Sequence, residues 1–323
     1  MKQPWLAARI ALACLALVTV TPASAQISGR PITLIVPLAA GSTTDVAARL
    51  LAQKVTQSTG QQIIVENKPG ASTMLGSQFV ARAEPDGHTL LMGASSLTVN
   101  KLLFKNYMVE TEKDLTPISL VVTAPLVMVV NPKLDVTTLK QFLDKYKAAK
   151  DITFASSGTG TMLHLGAEVF KINSGIEIRP VFYRGGGPAL TDVIAGHVSM
   201  MFATTVASGS IDKGDVRGLA ITGNSRHPAL PNVPTFAEAG LALPEVENGA
   251  WFGLLGPAGM SKDLVQKINR DFNAALQDAD VREGLIKAGL LAKGTTPEEF
   301  VTFIRDEIKR WPDIFKRAGI EPQ

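Results

Sequence analysis

A chain of 323 residues that is 46% hydrophobic, 19% charged and 6% aromatic has the composition of an ordinary globular protein, which excludes a disordered, collagen-like or coiled-coil chain. Lys and Arg total 32 against 29 Asp and Glu, a formal net charge of +3. No long run of either sign supplies the basic stripe that phosphate-backbone binding needs, so no nucleic-acid partner is expected.

The chain opens like a secretory leader: Lys2 and Arg9, the apolar run Ile10 to Val20, then the small residues Ala23-Ser24-Ala25. This predicts a signal peptide over residues 1–25, cleaved after Ala25, since the apolar run is far short of the ~20 residues a membrane span needs. The single cysteine, Cys14, lies inside that run. The exported chain then has no cysteine, which excludes a disulfide scaffold, a thiolate nucleophile and Cys-ligated zinc. His88, His164, His197 and His227 lack the close spacing of metal ligands, so no metal is expected.

From Pro31 onward, short β-branched runs alternate with amphipathic segments, the pattern of strands joined by helical crossovers in an α/β fold. Strands are predicted at Pro31 to Val36, Gln62 to Glu66 and His88 to Met92, with helices at Asp45 to Thr59 and Leu75 to Ala83. Leu120 to Asn131 is too long for one ordinary strand and reads as two extended pieces bent at Pro125. A second series follows: helix Leu139 to Ala149, strand Ile152 to Ala155, helix Met162 to Asn173, strand Ile178 to Tyr183, helix Ala189 to Ala195, and strands Ser199 to Ala203 and Gly218 to Thr222. The proline-rich stretch Pro228 to Pro244 reads as a loop around a short helix, Thr235 to Gly240. After the apolar run Trp251 to Leu255 the chain ends in helices at Ser261 to Asp278, Asp280 to Ala288 and Pro297 to Ala318, the last opened by a capping box at Thr296. Crossing near Pro125 and returning near Trp251 divides the chain into one lobe of residues 26–124 and 251–323 and another of residues 125–250, about the two domains its length predicts, with a cleft between them.

One feature occurs twice. Leu38-Ala39-Ala40-Gly41-Ser42-Thr43-Thr44-Asp45 and Ser156-Ser157-Gly158-Thr159-Gly160-Thr161 each place glycines and hydroxyls where a strand ends and a helix begins. Unpaired N–H groups and the positive end of the helix dipole attract an anion there, and glycine permits close approach. The same hydroxyls are also ordinary helix caps. One such loop in each lobe favours binding, because open α/β sheets hold ligands at strand C-terminal ends. The second loop lacks the third glycine of a dinucleotide fingerprint, and neither G-x-x-x-x-G-K-[ST] nor G-x-S-x-G occurs. His164, one turn into the following helix, reads either as a donor to an anion or as a satisfied core histidine. Tyr183 and Arg184 end another strand before a glycine-rich turn, and Arg184 reads either as a cleft residue or as a solvated charge.

Arg30 to Pro37, Val65-Glu66-Asn67-Lys68-Pro69-Gly70-Ala71, Pro85 to Gly93, Ala229 to Thr235 and Trp251 to Gly259 together resemble the periplasmic solute-binding proteins of tripartite tricarboxylate transporters, also called Bug receptors. The resemblance runs from Arg30 to the C-terminus. It implies a type II periplasmic binding-protein fold, two α/β lobes around a ligand cleft, periplasmic location, and delivery of a carboxylate to a membrane permease. Its ligand loops fall on Ala40, Gly41, Ser42, Thr43 and Asp45, and on Ser156, Ser157, Gly158, Thr159, Gly160, Thr161 and His164. Its serine pair matches Ser95-Ser96 and its Tyr-Lys-Gly matches Tyr183-Arg184-Gly185. The first loop departs from the family's Pro-Gly-Gly pattern at Ala39 and Ala40. Ala203 stands where the family commonly has an aspartate that pairs with a ligand's ammonium group, which favours a plain carboxylate over an amino acid. The reading is therefore a monomeric receptor for a small organic acid, a di- or tricarboxylate, aromatic ones included, without cofactor or catalytic residue. A sensor that presents its ligand to a membrane histidine kinase and a secreted enzyme on the same fold are the alternatives.

Overall fold

Pro125 separates two strands that belong to different sheets. In the computed structural model, which describes residues 29–148 and 151–322, the chain runs β1 (Ile32–Val36), α1 (Thr43–Thr59), β2 (Ile63–Asn67), α2 (Met74–Ala81), β3 (Thr89–Ala94), α3 (Ser96–Leu103), α4 (Thr111–Asp114) and β4 (Leu115–Ala124). It continues through β5 (Leu126–Val130), α5 (Leu139–Tyr146), β6 (Ile152–Ser156), α6 (Met162–Ser174), β7 (Ile178–Phe182), α7 (Gly186–Ala195), β8 (Met200–Thr204), α8 (Ser208–Asp212) and β9 (Arg217–Ile221). The last elements are β10 (Ala250–Pro257), α9 (Lys262–Leu276), α10 (Ala279–Lys287), β11 (Leu291–Ala292) and α11 (Pro297–Ala318). The predicted leader, with Cys14, and the end of the helix predicted to reach Ala149 fall outside the described residues.

The six-stranded sheet has the order β11-β4-β10-β3-β1-β2 and the five-stranded sheet β7-β6-β8-β5-β9. Both are mixed. β1 runs parallel to β2 and β3 while β10 is antiparallel to β3 and β4; β6 runs parallel to β7 and β8 while β5 is antiparallel to β8 and β9. Alternation along each strand feeds two cores per sheet. Leu126, Met128 and Val130 pack with Phe154, Phe170 and Phe202 on one side, while Val127 and Val129 pack with Met201 and Val193 on the other. In the larger sheet Leu34 and Val36 meet Leu51, Val55 and Phe272, and Ile35 meets Trp251 and Phe300. Pro180 is tolerated in β7 because β7 is an edge strand.

Helix α11 joins the two halves. Phe300 and Ile304 pack with the larger sheet, Trp311, Ile314 and Phe315 with the smaller. Between them, buried Glu307 accepts the indole N–H groups of Trp251 (3.3 Å) and Trp311 (3.2 Å) and pairs with Arg310 at 2.9 Å. Burial pushes the Glu307 carboxyl up despite these partners.

Several elements differ from expectation. α3, α4, α8 and β11 carry no clear signal in the sequence, and β4 begins at Leu115 rather than Leu120. Thr235 to Gly240 is a single turn and not a helix. Glu238 accepts the Thr235 N–H (2.7 Å) and its own N–H goes to Thr235 Oγ1 (3.1 Å), closing the turn upon itself while Thr235 bridges Ile221.

Candidate functional site

A cavity of about 280 Å³ lies between the sheets, and both contribute to its wall. Ser72, Thr73, Ser95 and Ser96 come from the strand-to-helix junctions before α2 and α3, and Thr159, Gly160 and Thr161 from the junction before α6. Thr73, Ser95 and Thr161 are the N-cap residues of these helices. Three helix N-termini thus converge on one space, each bringing unpaired N–H groups and the positive end of its dipole. Among the described residues no charged side chain lines this cavity.

The caps are not alike. Thr161 Oγ1 accepts the His164 N–H at 3.3 Å, so its hydroxyl serves its own helix. Neither Thr73 nor Ser95 caps its helix through its side chain. The Thr73 hydroxyl is shared with that of Ser96 at 2.6 Å, and Ser95 Oγ accepts the Trp251 N–H at 2.8 Å. Ala71, Ser72 and Thr73 have φ values of 45°, 51° and 77°. L-residues disfavour this left-handed region by roughly 1–2 kcal/mol each, and strain of this kind concentrates at functional sites. The segment is held by Asn100, whose Nδ2 donates to the Ser72 carbonyl at 2.6 Å, and by the Met74 N–H to the Ala71 carbonyl at 3.0 Å.

The second loop is braced from behind. Ser156 is buried and its Oγ both donates to the Gly158 carbonyl (3.2 Å) and accepts the Gly158 N–H (3.3 Å), while the Ser157 hydroxyl donates to Thr161 Oγ1 (3.1 Å). The Gly160 N–H donates to His164 Nδ1 at 3.2 Å, leaving the ring proton on Nε2, 3.7 Å from Glu168 Oε1. Burial lowers the His164 pKa to about 4 and raises that of Glu168, so the imidazole is neutral at pH 7. Its ring lies 6.0 Å from Phe154 and 5.4 Å from Phe182. His164 therefore shapes the loop and does not line the cavity. Gly160 has φ +72°, and a Cβ there would overlap the Leu103 side chain of α3, so the two halves touch at this point.

The first loop is held differently. Ser42 Oγ accepts the Asp45 N–H at 3.3 Å, an ordinary cap. The buried Asp45 carboxylate accepts the Gly41 N–H (2.9 Å), Arg49 Nε (3.0 Å) and Asn67 Nδ2 (2.9 Å). Burial alone would raise its pKa, but these bonds from Arg49, Gly41 and Asn67 hold it below the usual carboxylate value. Leu38 reaches the cavity wall; Ala40, Gly41, Ser42, Thr43 and Asp45 do not. Outside the wall as well are Ser156, Ser157, Gly158, Tyr183, Arg184 and Ala203. The Tyr183 hydroxyl donates to Asp192 at 2.7 Å and is pushed up to about 12 by burial and by that carboxylate. Arg184 is exposed, and Ala203 sits in the core opposite Val127. Of the residues named from the sequence, Ser95, Ser96, Thr159, Gly160 and Thr161 line the cavity; Ser72, Thr73 and Asn100 line it without having been named. Ser72 and Thr73 had a sign in composition, since Gly70-Ala71-Ser72-Thr73 is a third small-residue and hydroxyl segment between a strand and a helix; Asn100, inside α3, had none.

A family model described as tripartite tricarboxylate transporter family receptor matches residues 47–320. The BugT protein of Bordetella pertussis is 36% identical over 294 residues, which cover 90% of each chain. Among solved structures, R. palustris Rpa4515 with adipate is 31% identical with a TM-score of 0.78, covering 91% of this chain and 99% of its own. MatC (Rpa3494) from Rhodopseudomonas palustris with bound malate is 32% identical with a TM-score of 0.73, covering 88% and 98%.

Proposed function

This chain belongs to the tripartite tricarboxylate transporter receptors, a family of solute-binding proteins and not of enzymes, and from that premise we propose that it captures a small organic acid between its two sheets and delivers it to a membrane permease. The convergence of three helix N-termini on one cavity without a charged side chain is the observation that carries this reading. A carboxylate there is stabilised by oriented N–H groups and hydroxyls. The ligands of two relatives, adipate and malate, are both dicarboxylates and fit the same chemistry.

The two lobes in this reading are residues 26–124 with 251–323, and residues 125–250, after loss of a leader ending at Ala25. One carboxylate rests against α2 and α3, the other against α6. The bound acid favours the closed arrangement because closure lets both ends be held at once. A screen of mono-, di- and tricarboxylates and amino acids by thermal unfolding tests the assignment. A matching acid at 100 times its Kd should stabilise the fold by about 2.7 kcal/mol. Stabilisation by amino acids alone would refute it. The leader is tested separately by sequencing the exported protein, which should begin at Gln26.

A further inference from the structure

Between its two anion-attracting ends the cavity wall is apolar. Leu38, Val99, Leu103, Met162, Leu163 and Phe252 face the space. The polar side chains beside them each have a protein partner: Thr73 and Ser96 share one hydrogen bond, Ser95 Oγ accepts the Trp251 N–H, one Asn100 Nδ2 hydrogen goes to the Ser72 carbonyl, and Thr161 Oγ1 accepts the His164 N–H and donates to the Gly158 carbonyl. Ser72 and Thr159 are different. Among the described residues neither hydroxyl makes a hydrogen bond; Ser72 is exposed and Thr159 half-buried, and they line the cavity from the starts of α2 and α6, one from each half.

We propose that the acid bound here has a hydrocarbon body, without hydroxyl or amino groups, between two carboxylates that Ser72 and Thr159 help to hold. This rests on the receptor reading above and specifies its substrate class. A hydroxyl or ammonium on the body loses water on entering and meets the apolar side chains of Leu38, Val99, Leu103, Met162, Leu163 and Phe252, which disfavours binding. A third carboxylate finds no cation on the wall among the described residues. The cavity is at the small end of the roughly 300–1,000 Å³ typical of ligand sites, so the body is a short chain or a single ring.

Calorimetric titration of the exported chain with succinate, malate, citrate, adipate and benzene-1,4-dicarboxylate tests this. Each buried methylene is worth about three- to fourfold in affinity, so adipate should exceed succinate by about tenfold. Malate should bind more weakly than succinate, and citrate weakest. Malate or citrate binding more tightly than adipate overturns the hydrocarbon assignment while leaving the receptor reading intact. Failure of every carboxylate overturns both. In Val99→Thr, which adds a hydroxyl to the wall at nearly constant volume, the preference for adipate over malate should shrink several-fold. A wild-type ratio in that variant overturns the placement of the hydrocarbon against α3.

Discussion

The loops Leu38 to Asp45 and Ser156 to His164 are built from the same residue types at the same kind of junction, yet their polar groups end in different places. In the first, the Asp45 carboxylate gathers Gly41, Arg49 and Asn67 and ties the loop to the end of β2. In the second, Gly160 leans on His164 and touches Leu103 across the cleft, so that Thr159, Gly160 and Thr161 form part of the cavity wall. A hydroxyl at a strand-to-helix junction can cap its helix or serve a ligand, and the deciding partner lies far away in sequence.

The glycines give the sharpest way to break the comparison. Gly41 and Gly160 both have positive φ, but a Cβ at Gly41 meets open space while one at Gly160 overlaps Leu103. Gly160→Val should therefore cost about 2–5 kcal/mol, the sum of left-handed strain and overpacking. Gly41→Ala should cost only about 1–2 kcal/mol. Equal losses in urea unfolding would mean that the contact between the halves carries little weight.

Asp45→Ala should lower unliganded stability by about 3 kcal/mol, since it strands the Gly41 and Asn67 donors, while affinity for a bound acid stays within a few-fold. Titrating the variant and melting it without ligand separates the two effects. The matching test of the second loop is pH. The folded pKa of His164 is near 4 against 6.5 for the free side chain, so its contribution to stability is fully present above about pH 6.5 and is lost as pH falls towards 4. The loss from His164 should reach about 3 kcal/mol, with Glu168, raised by burial, acting in the opposite direction. His164→Gln should flatten that part of the stability–pH curve. An unchanged slope would place the titrating group elsewhere.

The fold was largely legible because apolar runs such as Ile32–Val36 and Ile152–Ser156 announce buried strands, and Pro125 marks the crossing. α3 escaped because Ser96 follows β3 almost directly, leaving no loop to mark a helix start. Two-residue β11 is too short for periodicity to register. On the cavity wall, Thr159 was marked by residue type and position, and Ser95 and Ser96 by the family resemblance alone. Ser72 and Thr73 were marked by composition alone, as a third hydroxyl-bearing junction; their placement depends on three left-handed residues held by Asn100, and non-glycine side chains give no sequence sign of that conformation.

The central claim is that an acid is held between the halves at the starts of α2 and α6. Its most direct test is titration of Ser72→Ala, Thr159→Ala and Ser42→Ala with the tightest-binding dicarboxylate, alongside their unliganded melting curves. Loss of a hydrogen bond to a charged group costs roughly 1.5–3 kcal/mol, so Ser72→Ala and Thr159→Ala should each lose about tenfold or more in affinity with little change in melting. Ser42→Ala should keep its affinity and lose about 1 kcal/mol of stability, as a helix cap does. Wild-type affinity in both Ser72→Ala and Thr159→Ala, with a loss in Ser42→Ala, would contradict the account and move the acid to the first loop.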